Sequence, residues 1–287
     1  MTAETKPVRE VLESSIKYLE GKGVVEAKTL VLILMGRLLG CKHMDVYARQ
    51  EQGLVEKQLE AMRRALKRLA IGEPVQYITG ETEFLGRVFK TDKRALIPRP
   101  ETELLVEAVL KNTELWTGSK PVIVDFGTGS GCIVISLALA REGVYVAIDI
   151  SKEALDLANK NAELHGVADK VAFSAEELNE LIEPCTVDVF VSNPPYIRES
   201  DFLSLPVNVR DHEPRQALIA GETGLEVITQ IVEEAAIVLK PGGFLYLEIG
   251  YNQAADVTHL MKEYGFADIS IVKDFAGHQR IISGRLS

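Results

Sequence analysis

From residue 121 onward the chain alternates short apolar runs with longer amphipathic stretches, and few folds accept that order. Val122-Ile123-Val124-Asp125-Phe126 reads as a buried strand, and so do residues 144–148, 171–173, 187–191 and 243–249. Helical periodicity separates them at residues 133–140, 152–164, 225–239 and 254–264. Residues 269–272 and 280–283 close the chain as two further strands. Strand and helix in alternation predict a mostly parallel sheet covered on both faces, an α/β fold.

The first 70 residues follow another pattern. Val11, Ile16 and Leu19 sit at helical spacing, residues 30–39 are densely apolar, and Leu54, Leu59, Met62, Leu66 and Leu69 recur with Arg63, Arg64, Lys67 and Arg68 between them. This predicts a small all-helical N-terminal domain of four or five helices, closed by Gly72 and Pro74. Val75-Gln76-Tyr77-Ile78-Thr79 is rich in strand formers and is expected to be extended, and residues 84–89 suit a short hairpin. A helix is expected after Pro100, whose missing N–H costs nothing in a first turn. The resulting division is a helical domain over 1–72, a linker with a hairpin over 73–98, and an α/β domain over 99–287.

Charge separates the same regions. The net charge is −10, with 15 basic and 12 acidic residues before residue 91 and the acidic excess after it. An acidic α/β half argues against general nucleic-acid binding, which depends on neutralising phosphates. Cys41, Cys132 and Cys185 fit neither a zinc nor a redox spacing, so a reducing compartment is expected. The five histidines form no metal-binding pair, so no metal is expected. No apolar run is long enough to span a bilayer, and residues 1–10 lack the apolar stretch of a signal peptide. The expected location is the cytoplasm, without membrane attachment.

Three segments carry chemistry. Gly127-Thr128-Gly129-Ser130-Gly131 lies between the first predicted strand and its helix, where glycines let a backbone approach a ligand closely. It is neither a P-loop nor the Gly-x-Gly-x-x-Gly of dinucleotide folds. Asp149 ends the next strand, where an acid accepts hydrogen bonds from both ribose hydroxyls of an adenosine. An acid opening the helix ahead of Ser151 is the purely structural alternative. Together the two segments favour an adenosine-containing ligand without a pyrophosphate, such as S-adenosylmethionine (SAM).

Asn193-Pro194-Pro195-Tyr196 follows the fourth strand, where open α/β sheets bind ligands. Amide and aromatic-amine nitrogens are poor nucleophiles because their lone pair is delocalised. The Asn193 side-chain oxygen and the Pro194 carbonyl can each accept one N–H of such an NH2 group, aiming the nitrogen at a methyl sulfonium. Tyr196 offers an aromatic face to a planar substrate or a cationic methyl donor. No separate general base is needed before transfer, since the nitrogen becomes acidic once alkylated.

With these residues in view, the chain resembles the peptide chain release factor glutamine methyltransferases, the HemK/PrmC family. The tetrad is shared with adenine-N6 and guanine-N2 methyltransferases; other segments carry the resemblance. They are Gly72-x-Pro74-x-Gln76-Tyr77-Ile78-Thr79-Gly80 with Phe84 and Gly86, Leu96-Ile97-Pro98-Arg99-Pro100-Glu101-Thr102-Glu103, and Glu213-Pro214-Arg215 with Ala217-Leu218. Leu247-Glu248-Ile249-Gly250 with Gln253, and Lys273-Asp274 with Ala276, Gly277 and Arg280, complete the set.

The resemblance implies a seven-stranded, Rossmann-like SAM-dependent methyltransferase sheet with an antiparallel last strand. It implies methyl transfer from SAM to the side-chain nitrogen of the glutamine in the Gly-Gly-Gln motif of class I release factors, the expected protein partner. By position it makes Gly127, Thr128, Gly129, Ser130, Gly131, Asp149 and Asn193 cofactor contacts. Asn193, Pro194, Pro195 and Tyr196 become the substrate-binding tetrad, with Asn193, Pro194 and Tyr196 catalytic. The chain departs from the family at Ser174-Ala175-Glu176-Glu177-Leu178, where an acidic–aromatic pair is usual, and at Thr223, where an acid is usual. The competing readings are an N-methyltransferase acting on DNA adenine or ribosomal RNA, supported only by the basic run Arg63 to Arg68, and a non-enzymatic SAM-fold binding protein. Direct nucleic-acid binding is not expected.

Overall fold

The computed structural model describes residues 5–287. The chain divides into two compact units: residues up to Gly80 together with Pro206–His212, and Glu81–Leu205 together with Glu213–Ser287.

In the first unit, α1 (Val8–Glu20), α2 (Ala27–Leu39) and α3 (Glu56–Ala70) pack around Leu19, Val31, Met35, Leu54 and Met62. A 3-10 segment spans His43–Arg49, and Lys6–Pro7 pairs with Gly53–Leu54 as a two-residue antiparallel bridge that the sequence pattern did not signal. The expectation of an extended Val75–Thr79 is corrected: these residues form a helix, α4. Strand propensity is a weak preference that packing overrides. Val75 and Tyr77 are buried, Thr79 returns its hydroxyl to the Val75 carbonyl, and Gly80 closes the helix at φ 75°. Three of the bases on α3 are ion-paired: Arg63 to Glu56, Arg64 to Glu60, and Arg68 through two hydrogen bonds to Glu73. The segment 206–212 belongs to this unit through Val207, which packs on Gly72 so closely that a Cβ there would lie 2.8 Å from Val207 Cγ1.

The second unit opens with a hairpin, Glu81–Phe84 against Arg87–Lys90, turned by Leu85 and Gly86 at positive φ. Phe84 and Phe89 bury into the core shared by α5 (Pro100–Lys111) and α6 (Cys132–Ala140). The segment read as a linker is therefore divided, its helix in one unit and its hairpin in the other.

The sheet holds seven strands: β1 (Val122–Phe126), β2 (Val144–Ile148), β3 (Val171–Ser174), β4 (Val187–Ser192), β5 (Leu239–Glu248), β6 (Phe266–Lys273) and β7 (Gln279–Leu286). Their order is β6-β7-β5-β4-β1-β2-β3, with β1 to β5 parallel and β7 antiparallel to both its neighbours, as the resemblance implied. Period-two alternation sorts the side chains. Ile123, Val189, Val191, Tyr246 and Ile281 face the layer of α5 and α6. Val124, Phe190, Leu245, Leu247 and Ile282 face α8 (Glu226–Val238) and α9 (Ala254–Glu263). A helix α7 (Lys152–Leu164) connects β2 to β3. The strand order reverses between β1 and β4, the point at which an open α/β sheet leaves a crevice at its carboxyl edge.

Candidate active site

The turn after β1 is built to leave backbone uncovered. Gly127, Gly129 and Gly131 have φ of 74°, 56° and 80°, a region that side-chain-bearing residues enter at a cost. A Cβ at Gly127 would meet nothing within 4 Å, and one at Gly129 nothing nearer than Ala95 Cβ at 3.8 Å. At Gly131 it would lie 2.8 Å from Ile135 Cδ1, so this glycine serves helix packing instead. The N–H groups of Gly127 and Thr128 both reach the Ile148 carbonyl, tying the turn to the end of β2.

Two acids flank the turn in different surroundings. Asp125 is fully buried; its Oδ2 accepts the Thr128 hydroxyl at 2.7 Å and the Val134 N–H at 3.2 Å, while Oδ1 has no partner. Burial, first of all, pushes its carboxyl up to about 7. Asp149 accepts the Gly129 N–H on Oδ2 at 2.8 Å and the Ser151 N–H on Oδ1 at 2.9 Å. Its pKa is raised by burial, with these two bonds opposing. A carboxylate has about four acceptor positions, so each oxygen keeps one for a ligand hydroxyl.

A cleft of about 260 Å³ runs along this edge, bordered by Ala95, Pro98, Phe126, Gly129, Asp149 and Asn193 among others. The bare glycine faces, the remaining lone pairs of Asp149 and the apolar walls fit a nucleoside with an aliphatic extension. Ile150 also borders the cleft while 82% exposed, an apolar side chain next to Asp149. The sequence reading missed it, although its place directly after Asp149 was a signal.

The tetrad sits at the end of β4, and Asn193, Pro194 and Pro195 border the same cleft. Gln253, 5% exposed, donates to the Tyr196 carbonyl at 3.1 Å and to the Gly224 carbonyl at 2.9 Å while accepting the Gly250 N–H. The Tyr196 hydroxyl lies 3.5 Å from Glu248 Oε1. Glu213 is buried; it accepts the Arg99 guanidinium and the Ile97 N–H, holding the loop of Pro214, Gln216 and Ala217 at the cleft. Thus the sequence segments beyond the tetrad supply its supports. The structure brings Gly127, Thr128, Gly129, Ser130, Asp149, Asn193, Pro194 and Pro195 to one cleft, while Gly131 and Tyr196 stand behind its wall.

Among the described residues no group of His, Cys, Asp and Glu is placed to hold a metal, and no helix is long and apolar enough to cross a membrane. The three cysteines are free.

Comparison with known proteins agrees with this geometry. A methyltransferase-domain family model matches residues 118–279, and the T. thermophilus 16S rRNA methyltransferase solved with AdoMet and guanosine shares the fold at a TM-score of 0.52. That likeness covers 72% of this chain and 50% of the other at 18% identity. The protein is a SAM-dependent methyltransferase. The PrmC N-terminal domain model matches residues 10–80. The release factor glutamine methyltransferase of Chlorobaculum tepidum is 40% identical, with 93% of each chain covered. That of Nitratidesulfovibrio vulgaris is 37% identical over 96% of this chain and 94% of its own. The chain belongs to the release factor glutamine methyltransferase family.

Proposed function

We propose that this enzyme transfers a methyl group from SAM to the side-chain nitrogen, N5, of the glutamine in the Gly-Gly-Gln motif of class I peptide chain release factors. The observation that carries this reading is the tetrad at the cleft, with the NH2 group of Asn193 engaged behind it at 3.1 Å from Thr102 Oγ1. That engagement leaves the Asn193 oxygen for a substrate N–H. SAM supplies an electrophilic methyl carbon on a sulfonium. Asn193 Oδ1 and the Pro194 carbonyl accept the two N–H groups of the glutamine amide, orienting its nitrogen and raising its electron density as the bond forms. Asp149 would accept the ribose hydroxyls, and the backbone from Gly127 to Ser130 would line the cofactor's place. Tyr196, behind the wall of the cleft, holds the tetrad in place, its carbonyl accepting from Gln253 and its hydroxyl 3.5 Å from Glu248. Recognition of the release factor is assigned to residues 1–72, and catalysis to residues 99–287.

Incubation with methyl-labelled SAM tests this, using a class I release factor, its variant with the Gly-Gly-Gln glutamine replaced by alanine, adenine-containing duplex DNA and ribosomal RNA. Label is expected on the parent release factor alone. Label on nucleic acid and none on the release factor would overturn the reading.

A further inference from the structure

Asn193 is the end of a buried polar chain whose other members come from distant parts of the sequence. Thr102, in the first turn of α5, is 2% exposed, and Glu248, at the end of β5, is 1% exposed. The Thr102 hydroxyl donates to Glu248 Oε2 at 2.7 Å, and Asn193 Nδ2 donates to Thr102 Oγ1 at 3.1 Å. Direction in this chain follows from the chemistry of the groups. A carboxylate only accepts, and a hydroxyl has one proton. Committing that proton to Glu248 leaves Thr102 able only to accept from Asn193. Only the NH2 half of the asparagine can answer it, so the side-chain oxygen is left for the cleft that Asn193 borders. The opposite amide orientation would set two oxygens against each other in a buried site, at the cost of an unmade hydrogen bond. The same carboxylate also stands 3.5 Å from the Tyr196 hydroxyl, so one group supports both ends of the tetrad.

We propose that Glu248 and Thr102 are positioning residues that fix the polarity of the Asn193 amide, so that Oδ1 meets the N–H of the substrate amide. This rests on the reading of an amide nitrogen as the methyl acceptor. Neither residue touches the reacting atoms; both act through Asn193. A purely structural role for this pair would cost stability and make any rate loss independent of that of Asn193→Ala.

The test uses the full chain with Thr102→Val, Thr102→Ala, Thr102→Ser and Asn193→Ala. The first readout needs no substrate: the side-chain amide resonances of Asn193 in nitrogen-15-labelled protein, assigned by their loss in Asn193→Ala. Thr102→Val should move them toward the positions of a solvent-exposed amide, and Thr102→Ser should leave them near the parent. The second readout is single-turnover methyl transfer to a class I release factor. Thr102→Val should lower the rate about 10–100-fold, in the range that small misplacements of a reacting pair produce. The KM for release factor should stay within about twofold, and Thr102→Ser should restore most of the rate. In the Asn193→Ala background the valine should cost almost nothing further, because groups acting through one residue are not additive. Where Thr102→Val does not fold, Thr102→Ala reads the same losses. Unmoved Asn193 resonances in a folded valine or alanine variant would overturn the proposal, as would a rate loss that multiplies with that of Asn193→Ala. If the parent leaves the release factor unmethylated, the functional reading fails, and the resonances alone decide the positioning role.

Discussion

The Asp149 carboxylate at the end of β2 accepts the backbone N–H of Gly129 at 2.8 Å, so the acid that ends one strand fixes the glycine turn that follows another. Asp149, the proposed ribose acceptor, and the bare backbone are thereby one unit.

Replacing that acid should show both roles. Asp149→Ala removes the ribose acceptor and leaves the Gly129 and Ser151 N–H groups without their partner. The expected loss of SAM affinity is about 1–3 kcal/mol, the range of hydrogen bonds to a charged group. Titration calorimetry on the folded variant measures it, and unchanged affinity would remove Asp149 from the cofactor site.

What the sequence showed of this arrangement was its local part. The glycine turn and the tetrad are contiguous, and the mostly parallel sheet followed from alternation, while its antiparallel last strand came only from the resemblance. Thr102 and Glu248 stood only within segments that carry the resemblance, and their roles, like that of Asn161, escaped because their partners lie far along the chain: Thr102 meets Asn193 across 91 positions and Glu248 across 146. Spacing rules read neighbours, and these contacts exist only once β4, β5 and α5 are packed. Val75–Thr79 was misread for the converse reason, since its local strand preference gave way to the burial of Val75 and Tyr77. The membership of Pro206–His212 in the first unit left no pattern in the sequence.

Asn161 of α7 joins the hairpin to the glycine turn. It is fully buried; Oδ1 accepts the Lys90 N–H at 2.7 Å, and Nδ2 donates to the Lys90 carbonyl at 3.0 Å and the Ser130 carbonyl at 2.9 Å. Asn161→Ala strands three backbone groups, so a loss of about 2–4 kcal/mol is expected. Urea denaturation checks this; a loss below about 0.5 kcal/mol would show that water replaces the side chain freely.

Asp125 sets a pH dependence of stability. Its carboxyl, 3.8 unperturbed, is pushed up to about 7 by burial, against the Thr128 and Val134 hydrogen bonds and with Asp149 adding repulsion. Between those values the folded state holds a proton that the unfolded chain has released. The stability it contributes is therefore fully present below about pH 4 and lost as pH rises through about 7. Asp125→Asn should flatten this slope and raise stability at pH 8 relative to the parent, by an amount on the order of 2–4 kcal/mol. Melting curves from pH 5 to 8 decide it, and parallel parent and variant profiles would refute the assignment.

Glu248 should write the same window into the rate. Burial pushes its carboxyl up to about 7, helped by Glu101 and opposed by the Thr102 hydrogen bond, Arg280 and the Tyr196 hydroxyl. Once protonated it can donate to Thr102, and the hydroxyl is then free to turn its proton toward Asn193 and reverse the amide. Single-turnover rates should fall as pH drops below about 7. Glu248→Gln, which cannot titrate, should flatten that limb; an unchanged limb would assign it to another group.

Asn193 gives the most direct test of the amide-acceptor geometry. Asn193→Ala removes the oxygen that meets the substrate N–H and should lower kcat about 10²–10³-fold, as loss of one preorganised polar group at a reacting centre does. Asn193→Asp separates acceptor from donor. It keeps the shape and an oxygen for the substrate, but it has no N–H for Thr102, whose proton is already given to Glu248. One carboxylate oxygen then faces the Thr102 oxygen 3.1 Å away unless the hydroxyl abandons Glu248. Kept acceptor and lost anchor together place the aspartate variant between the other two, above alanine and below the parent. Its deficit should be shared with Thr102→Val, since both break the same link. Single-turnover rates for the three proteins, with SAM affinity measured alongside, decide the matter. Equal rates in all three would leave the tetrad a structural turn.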